Sequence, residues 1–202
     1  MSDVKGRLRI YERGHCIRDE PLNSLVDNFL RMMRASLVSQ FNTETGHDTL
    51  KTIDGTEIDA PDTRCDHPYL EWWWDGEEEL RGIVLGTGTT PVSVTDYKLE
   101  SIIEHGEESG KLWYGRHIVG EKDKFDDFIV SPMKVEWPVK RIIENRTTSD
   151  ITANEVGIYA VKYGYSDDTD YTVMILRDVL TAPLTIQAGR TIEVEVLFWI
   201  EV

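Results

Sequence analysis

The sequence contains little that would connect it to a membrane, a nucleic acid or an oxidising compartment. No apolar run approaches the roughly 20 residues that a membrane-spanning helix requires, and only two of the 202 residues are cysteine. Two cysteines do not make the disulfide framework of a small secreted domain. Only 22 basic residues stand against 37 acidic ones, so the formal net charge is −15, and such a chain repels a phosphate backbone. We therefore expect neither a membrane nor a nucleic acid among its partners.

Motifs for catalysis, cofactors and metals are also scarce. The chain has no Gly-x-Ser-x-Gly elbow and no His-Glu-x-x-His pair. The stretch at 86–91 (GTGTTP) lacks the Lys-Ser/Thr ending of a phosphate-binding loop, and its glycines suit positive φ where a chain leaves a strand. A zinc site could be drawn from Cys16, Cys65 and neighbouring histidines, but its spacing departs from the usual Cys-x2–4-Cys pair. The acidic turn at 167–170 does not follow the EF-hand calcium pattern. We expect no enzymatic activity, no cofactor and no metal.

Charge is unevenly distributed along the chain. Residues 1–40 carry seven basic and five acidic side chains, a net charge of +2, whereas residues 41–202 carry 15 and 32, a net charge of −17. Solubility is the simplest interpretation of the acidic excess. An N-terminal arm of this kind on an acidic body also favours docking onto another acidic surface, including a second copy of the chain.

Alternation of apolar and polar residues predicts a mainly β protein. The clearest case is the C-terminal segment, where every second residue is apolar: Ile192, Val194, Val196, Phe198, Ile200 and Val202. A period of two indicates a strand with one buried face. On the opposite face Leu197 and Trp199 lie among glutamates, which predicts partial cover by a loop or by another subunit.

Further strands and turns follow from the same pattern. Strand-like segments cover residues 7–12, 50–59, 83–85, 112–119, 139–146, 156–163, 171–176 and 184–186. Within the second of them, Asp54-Gly55 is a preferred pair for a tight type I′ hairpin turn. Many short strands divided by turns predict a single domain over residues 1–202, an antiparallel β-sandwich of jelly-roll type. Residues 43–80 are polar enough to form a projecting insertion.

One amphipathic α-helix is predicted near the N-terminus, after a charged connection that follows residue 14. It begins at Asn23, a good N-cap, and continues through residue 41. One stripe of this helix is apolar and contains Leu22, Val26, Phe29, Met33 and Leu37. We expect that stripe to cover a sheet.

Three consecutive tryptophans, Trp72, Trp73 and Trp74, precede an acidic run at 77–79. In a strand, Trp72 and Trp74 share one face and Trp73 takes the other, an arrangement that suits core or subunit contacts. Aromatic side chains beside carboxylates also suit a sugar, and glycosidases use two carboxylates about 5–10 Å apart. The alternatives are therefore a subunit interface, a carbohydrate-binding module that adheres to a host-surface glycan, and a weak glycan hydrolase.

The order of several short motifs resembles a known group of proteins. The motifs are GTGTTP at 86–91, TDY at 95–97, NEVGI at 154–158, ILRDV at 175–179 and TIQAG at 185–189, before the closing strand. This order is similar to that of small tailed-bacteriophage virion proteins, described as tail-fibre-like or minor structural proteins. The similarity covers most of the chain apart from 43–80. It implies a non-enzymatic β-sandwich-like building block of the virion, assembled in the host cytoplasm from copies of itself and other virion proteins.

Contacts between repeated subunits are expected on loops and on incompletely polar faces. The predicted interface residues are Thr87, Thr89 and Thr90 of the glycine-rich stretch, Trp72, Trp73 and Trp74, and Leu197 and Trp199 of the closing strand.

Overall fold

A computed structural model of the chain describes residues 4–22, 24–31, 49–59, 70–71, 80–117, 129–131, 134–164 and 169–201. Within these ranges the protein is mainly β, with twelve strands and one short helix at 27–31. The strands are β1 (Val4–Glu12), β2 (His15–Leu22), β3 (Thr49–Lys51), β4 (Glu57–Asp59), β5 (Leu70–Glu71), β6 (Gly82–Gly86), β7 (Trp113–His117), β8 (Ile129–Ser131), β9 (Lys134–Glu144), β10 (Ile151–Gly164), β11 (Thr169–Ile186) and β12 (Thr191–Glu201).

The named strands pair antiparallel in three sheets. The first sheet has the order β2-β1-β12-β9-β7, and β8 also pairs with β9. The second sheet has the order β11-β10-β5, and β6 also pairs with β10. Strands β3 and β4 form a separate hairpin. At the centre of the first sheet β12 pairs with both β1 and β9, so this sheet depends on contacts between distant parts of the chain.

One buried apolar cluster contains side chains from both larger sheets. Ile10 and Val194 of the first sheet and Ile158 and Leu176 of the second are each at most 1% exposed. The alternation predicted for the closing strand is confirmed, because its even-numbered residues from 192 to 198 enter this cluster. Burial of each large aliphatic side chain favours the folded state by about 1.5–3 kcal/mol before entropy is subtracted.

A buried arginine also connects the two sheets. Arg141 of β9 is fully buried, and its guanidinium donates to the carbonyls of Arg81 at 2.5 Å and Ile83 at 2.9 Å. It also donates to the carbonyl of Gly115 in β7 at 3.0 Å and lies 4.8 Å from the Tyr114 ring centre. Hydrogen bonds to the charged guanidinium are stronger than those between neutral groups, so Arg141 holds β6 against β9 and β7.

Strand β11 lies at the end of the second sheet, and other segments cover its edge. Val26 N–H donates to the Ile175 carbonyl and Arg177 N–H donates to the Ser24 carbonyl, both at 3.3 Å. The Asn28 side-chain amide donates to the Met174 carbonyl at 3.1 Å. Ile53 N–H donates to the Thr172 carbonyl, also at 3.1 Å. An uncovered edge is a template for pairing with another chain. These contacts cover the edge of β11 between residues 172 and 177.

The helix prediction can be compared with the structure only in part. The predicted start directly after residue 23 is wrong: residues 24–26 pair with β11 instead, and the helix spans 27–31. The predicted continuation to residue 41 lies outside the described residues. Val26 and Phe29 are buried as the apolar stripe requires, whereas Leu30 is 55% exposed. The charged connection before the helix is a strand, β2, which pairs with β1.

The hairpin at 49–59 differs from the predicted turn type. A type I′ turn needs positive φ at both central residues, but only Gly55 has it here, with φ of 90°. Gly55 N–H donates to the Thr52 carbonyl and Thr52 N–H donates to the Thr56 carbonyl, both at 2.9 Å. The Asp54 carboxylate accepts the Thr56 N–H at 3.0 Å. A three-residue loop results, because Asp54 bonds to the following backbone instead of adopting a left-handed conformation. Leu50 of this hairpin is fully buried.

The β1–β2 hairpin has the two-residue turn in which both residues take positive φ. Glu12 pairs with His15, and between them Arg13 has φ of 52° and Gly14 has φ of 76°. Glycine tolerates this conformation, and asparagine accepts it better than most residues do. Arginine has neither property, so the backbone at Arg13 is strained.

We expect Arg13→Asn to stabilise the folded protein by about 1 kcal/mol, because asparagine adopts the left-handed conformation at lower cost. Thermal and urea unfolding would measure the change. Arg13→Ala removes the same charge without this conformational benefit and should leave stability unchanged. Equal effects of the two variants would contradict the backbone explanation.

Candidate functional site

Four of the five motifs behind the phage resemblance meet in the folded protein. The chain that leaves β6, residues 87–101, contains TDY and all of GTGTTP except Gly86, which ends β6. This segment is called the threonine loop here. It lies against Glu155 of the NEVGI motif in β10 and Arg177 of the ILRDV motif in β11. We call this buried pair the Glu155–Arg177 clamp; the Glu155 Oε2 to Arg177 Nε distance is 2.8 Å.

Glu155 holds both ends of the threonine loop. Its carboxylate is fully buried and accepts the backbone N–H of Gly88 at 3.0 Å, of Glu100 at 3.2 Å and of Ser101 at 2.9 Å. It also accepts the hydrogen bond from Arg177. A buried carboxylate is tolerated when its oxygens are satisfied in this way. The Glu155 carboxylate therefore accepts the backbone N–H groups that a neighbouring strand would accept in a sheet.

Arg177 holds the middle of the loop. It is 3% exposed and donates to the Asp96 carboxylate at 2.7 Å and to the Thr90 carbonyl at 3.0 Å. Burial alone would lower the pKa of Arg177, but the hydrogen bonds to Glu155 and Asp96 outweigh it and raise the pKa above its ordinary value. The guanidinium therefore stays charged in the interior.

A third carboxylate caps the start of the loop. Glu100 accepts the backbone N–H groups of Thr89 and Thr90, each at 2.8 Å, and lies 3.7 Å from Arg177. These hydrogen bonds, first of all those from Thr90, and the charge of Arg177 lower the pKa of Glu100. Asp96 closes the next turn by accepting Ser93 N–H at 2.9 Å.

The glycines of the loop serve close approach and not positive φ, contrary to the expectation from sequence. Neither Gly86 nor Gly88 is among the residues with positive φ. A Cβ on either would lie 2.5 Å from Oε1 of Glu155. Gly157 has a similar role, because a Cβ there would lie 2.9 Å from a methyl group of Leu99. The loop packs directly on the strands only because these positions lack a side chain.

Of the predicted interface residues, the loop threonines come together. Thr87, Thr89 and Thr90 are exposed on a loop whose backbone is fixed from below, and Val94 beside them is 57% exposed. The other predicted residues do not join them. Leu197 is buried and Trp199 is half-buried on β12 of the first sheet, and Trp72, Trp73 and Trp74 lie outside the described residues.

The motifs NEVGI and ILRDV contain the clamp residues, but no role was predicted for Glu155 or Arg177. The available signal was a charged residue inside a strand of apolar residues, as in the ILRDV motif. Charged side chains in such positions are rarely buried unless they are paired.

In the described ranges, no three or more His, Cys, Asp or Glu side chains form a group able to hold a metal ion, and no helix there could cross a membrane.

Removal of Arg177 leaves the fully buried carboxylate of Glu155 as an uncompensated charge. We expect Arg177→Gln to lower the free energy of unfolding by about 3–5 kcal/mol. Arg146→Gln is the matched control, because Arg146 bonds to Glu144 and Glu107 and lies over the Trp113 ring at the surface, where ion pairs are screened by water and contribute little. Urea unfolding would measure both variants. Similar losses in the two would contradict the clamp.

Glu100 gives the loop a dependence on pH. Because its pKa is lowered in the folded state, its stabilising contribution is complete above its ordinary value of 4.5 and is lost as the pH falls through the lowered folded value. We expect Glu100→Gln to lower the urea midpoint near neutral pH, and this difference should shrink below about pH 4.5. A difference that stays constant from about pH 3 to pH 7 would contradict this.

The comparisons with known proteins add no relative to this picture. No protein-family model matches the chain, and neither a curated protein nor a solved structure matches it. The resemblance to tailed-phage virion proteins therefore stays a prediction from the order of motifs.

Proposed function

We propose that the protein is a non-enzymatic structural component of a tailed-phage virion. It acts by self-association and by docking to other virion proteins. The observation on which this rests is the threonine loop, an exposed loop whose backbone is fixed by buried charged groups. The order of motifs supports the virion assignment, since the clamp gives several of those motifs one shared structural role.

The architecture that we propose for this component is an antiparallel β-sandwich of jelly-roll type. The two larger sheets would face each other across the shared apolar cluster, whose members come from both sheets. The helix that begins at residue 27 would continue beyond residue 31 and cover one side of the sandwich.

A fixed loop suits docking for thermodynamic reasons. Binding that orders a flexible loop loses conformational entropy, whereas a loop already held in one conformation loses less. Threonine side chains add hydrogen-bonding groups with few rotatable bonds. Val94 of the same loop is 57% exposed and supplies an apolar contact. The loop therefore has the properties of a preformed contact surface between protein subunits.

Mass spectrometry of purified particles tests the proposal directly, because a virion component must be present in stoichiometric amounts. Thr89→Lys and Val94→Lys should reduce incorporation into particles by about tenfold, since each places a charge in the contact. Thr148→Lys is the control; Thr148 is exposed in another loop and should leave incorporation unchanged. Absence of the wild-type chain from intact particles would refute the virion assignment.

A further inference from the structure

The tip of the β1–β2 hairpin is an exposed basic projection. Arg13 and Gly14 form the turn, and His15 follows; all three are exposed. In the described part of the chain, Arg13 takes part in none of the ion pairs, whereas Glu12 beside it lies 3.8 Å from Arg190. Arg13 also occupies a left-handed position that suits asparagine or glycine better. An arginine in a strained, exposed turn is explained more readily by its side chain than by its backbone.

An acidic loop lies near the opposite edge of the same sheet. Glu104, Glu107 and Glu108 have side chains that are 67%, 60% and 74% exposed. Lys111 contacts Glu104 at 3.2 Å and Glu108 at 3.7 Å, and Arg146 contacts Glu107 at 3.1 Å. Three glutamates and one lysine leave residues 104–111 with a net charge of −2. Arg146 does not change this balance, because it also pairs with Glu144. The acidic loop therefore keeps unneutralised negative charge in solvent.

Strand register places the tip and the acidic loop at the same end of the first sheet. Tyr11 pairs with Glu193, Thr191 pairs with Glu144, and Trp113 pairs with Glu144. The hairpin turn and the loop that precedes β7 therefore lie at the same end of the sheet but at its opposite edges. Four strand spacings separate β2 from β7, which corresponds to about 19 Å. Neither patch can reach the other within one molecule.

We propose that a second copy of this chain docks head to tail, with the hairpin tip of one copy on the acidic loop of the next. Charge complementarity between the two patches is the reason, and Arg13 makes the central contact. In this arrangement the tip of each copy meets the acidic loop of the following copy, so the contact is heterologous and propagates into a ring or an open chain. The inference rests on the self-association in the proposed function and uses a surface separate from the threonine loop.

Ionic strength should affect this association in two opposite ways. Copies with a net charge of −15 repel each other at long range, and 0.1 M salt, with a Debye length of about 10 Å, screens most of that repulsion. Ion pairs in direct contact persist at this salt concentration and weaken at 1 M, where the Debye length is about 3 Å. We therefore expect the association to be strongest near 0.1–0.2 M salt.

The first test separates the charge of Arg13 from its effect on folding. Arg13→Asn should weaken the association about tenfold, measured by light scattering or sedimentation, although the same change is expected to stabilise the folded monomer. A loss of association therefore cannot be attributed to misfolding. Glu57→Lys, at an exposed site on the β3–β4 hairpin, is a control that should leave the association unchanged.

The second test exchanges the charges between the two patches. Arg13→Glu alone, and Glu107→Lys together with Glu108→Lys, should each yield monomers, because like charges then face each other. An equal mixture of the two variants should associate again, since each tip now meets a loop of opposite charge. This recovery requires a contact between the tip of one copy and the acidic loop of another.

The outcomes distinguish the inference from the proposed function. Self-association that persists in every charge variant would overturn the head-to-tail contact and leave the virion assignment standing. A wild-type chain that stays monomeric at all salt concentrations would overturn both the contact and the self-association, and the composition of particles would then test virion membership separately. Failure of the mixed variants to associate would also overturn the contact.

Discussion

Burial of the Glu155–Arg177 pair is the constraint on which the threonine loop depends. Removing two charges from water is costly, and the attraction between them offsets this cost only if their remaining hydrogen-bonding groups are satisfied. Here the backbone N–H groups of Gly88 and Ser101 and the carboxylate of Asp96 satisfy them. The loop and the pair therefore stabilise each other, and the conformation of an exposed loop is determined by charges in the interior.

Loop segments also satisfy backbone groups at the edges of the sheets. Ile103 N–H donates to the Leu85 carbonyl at 3.0 Å and Thr87 N–H to the Ser101 carbonyl at 2.8 Å, so the threonine loop and its continuation also cover β6. Residues 24–28 and the β3–β4 hairpin cover β11 in a similar way. Strand addition to a covered edge is disfavoured. Contacts between copies would then be made by projecting turns and loops, which is where the uneven charge of the chain is exposed.

Comparison of sequence and structure shows which elements are predictable. The closing strand, β12, was predicted from sequence because its period-two pattern reflects burial of one face. Strand β11 was predicted as two strands, at 171–176 and 184–186, since the exposed residues 181–183 interrupt its apolar pattern. Strand β2 was missed because its sequence is charged. Its Asp19 pairs with Arg7 and lies 3.8 Å from Arg9 on the neighbouring strand. A local sequence pattern cannot predict a partner twelve positions away.

The sequence by itself determined the mainly β character, the acidic body and its less acidic N-terminal arm, because composition and alternation are local properties of the chain. Only the tertiary structure decided that Glu155 and Arg177 form a pair, that Gly86 and Gly88 are needed for close contact, and that the hairpin tip and the acidic loop share one end of a sheet. These features depend on strand register and on burial. Both arise from contacts between distant residues, so neither can be derived from neighbours along the chain.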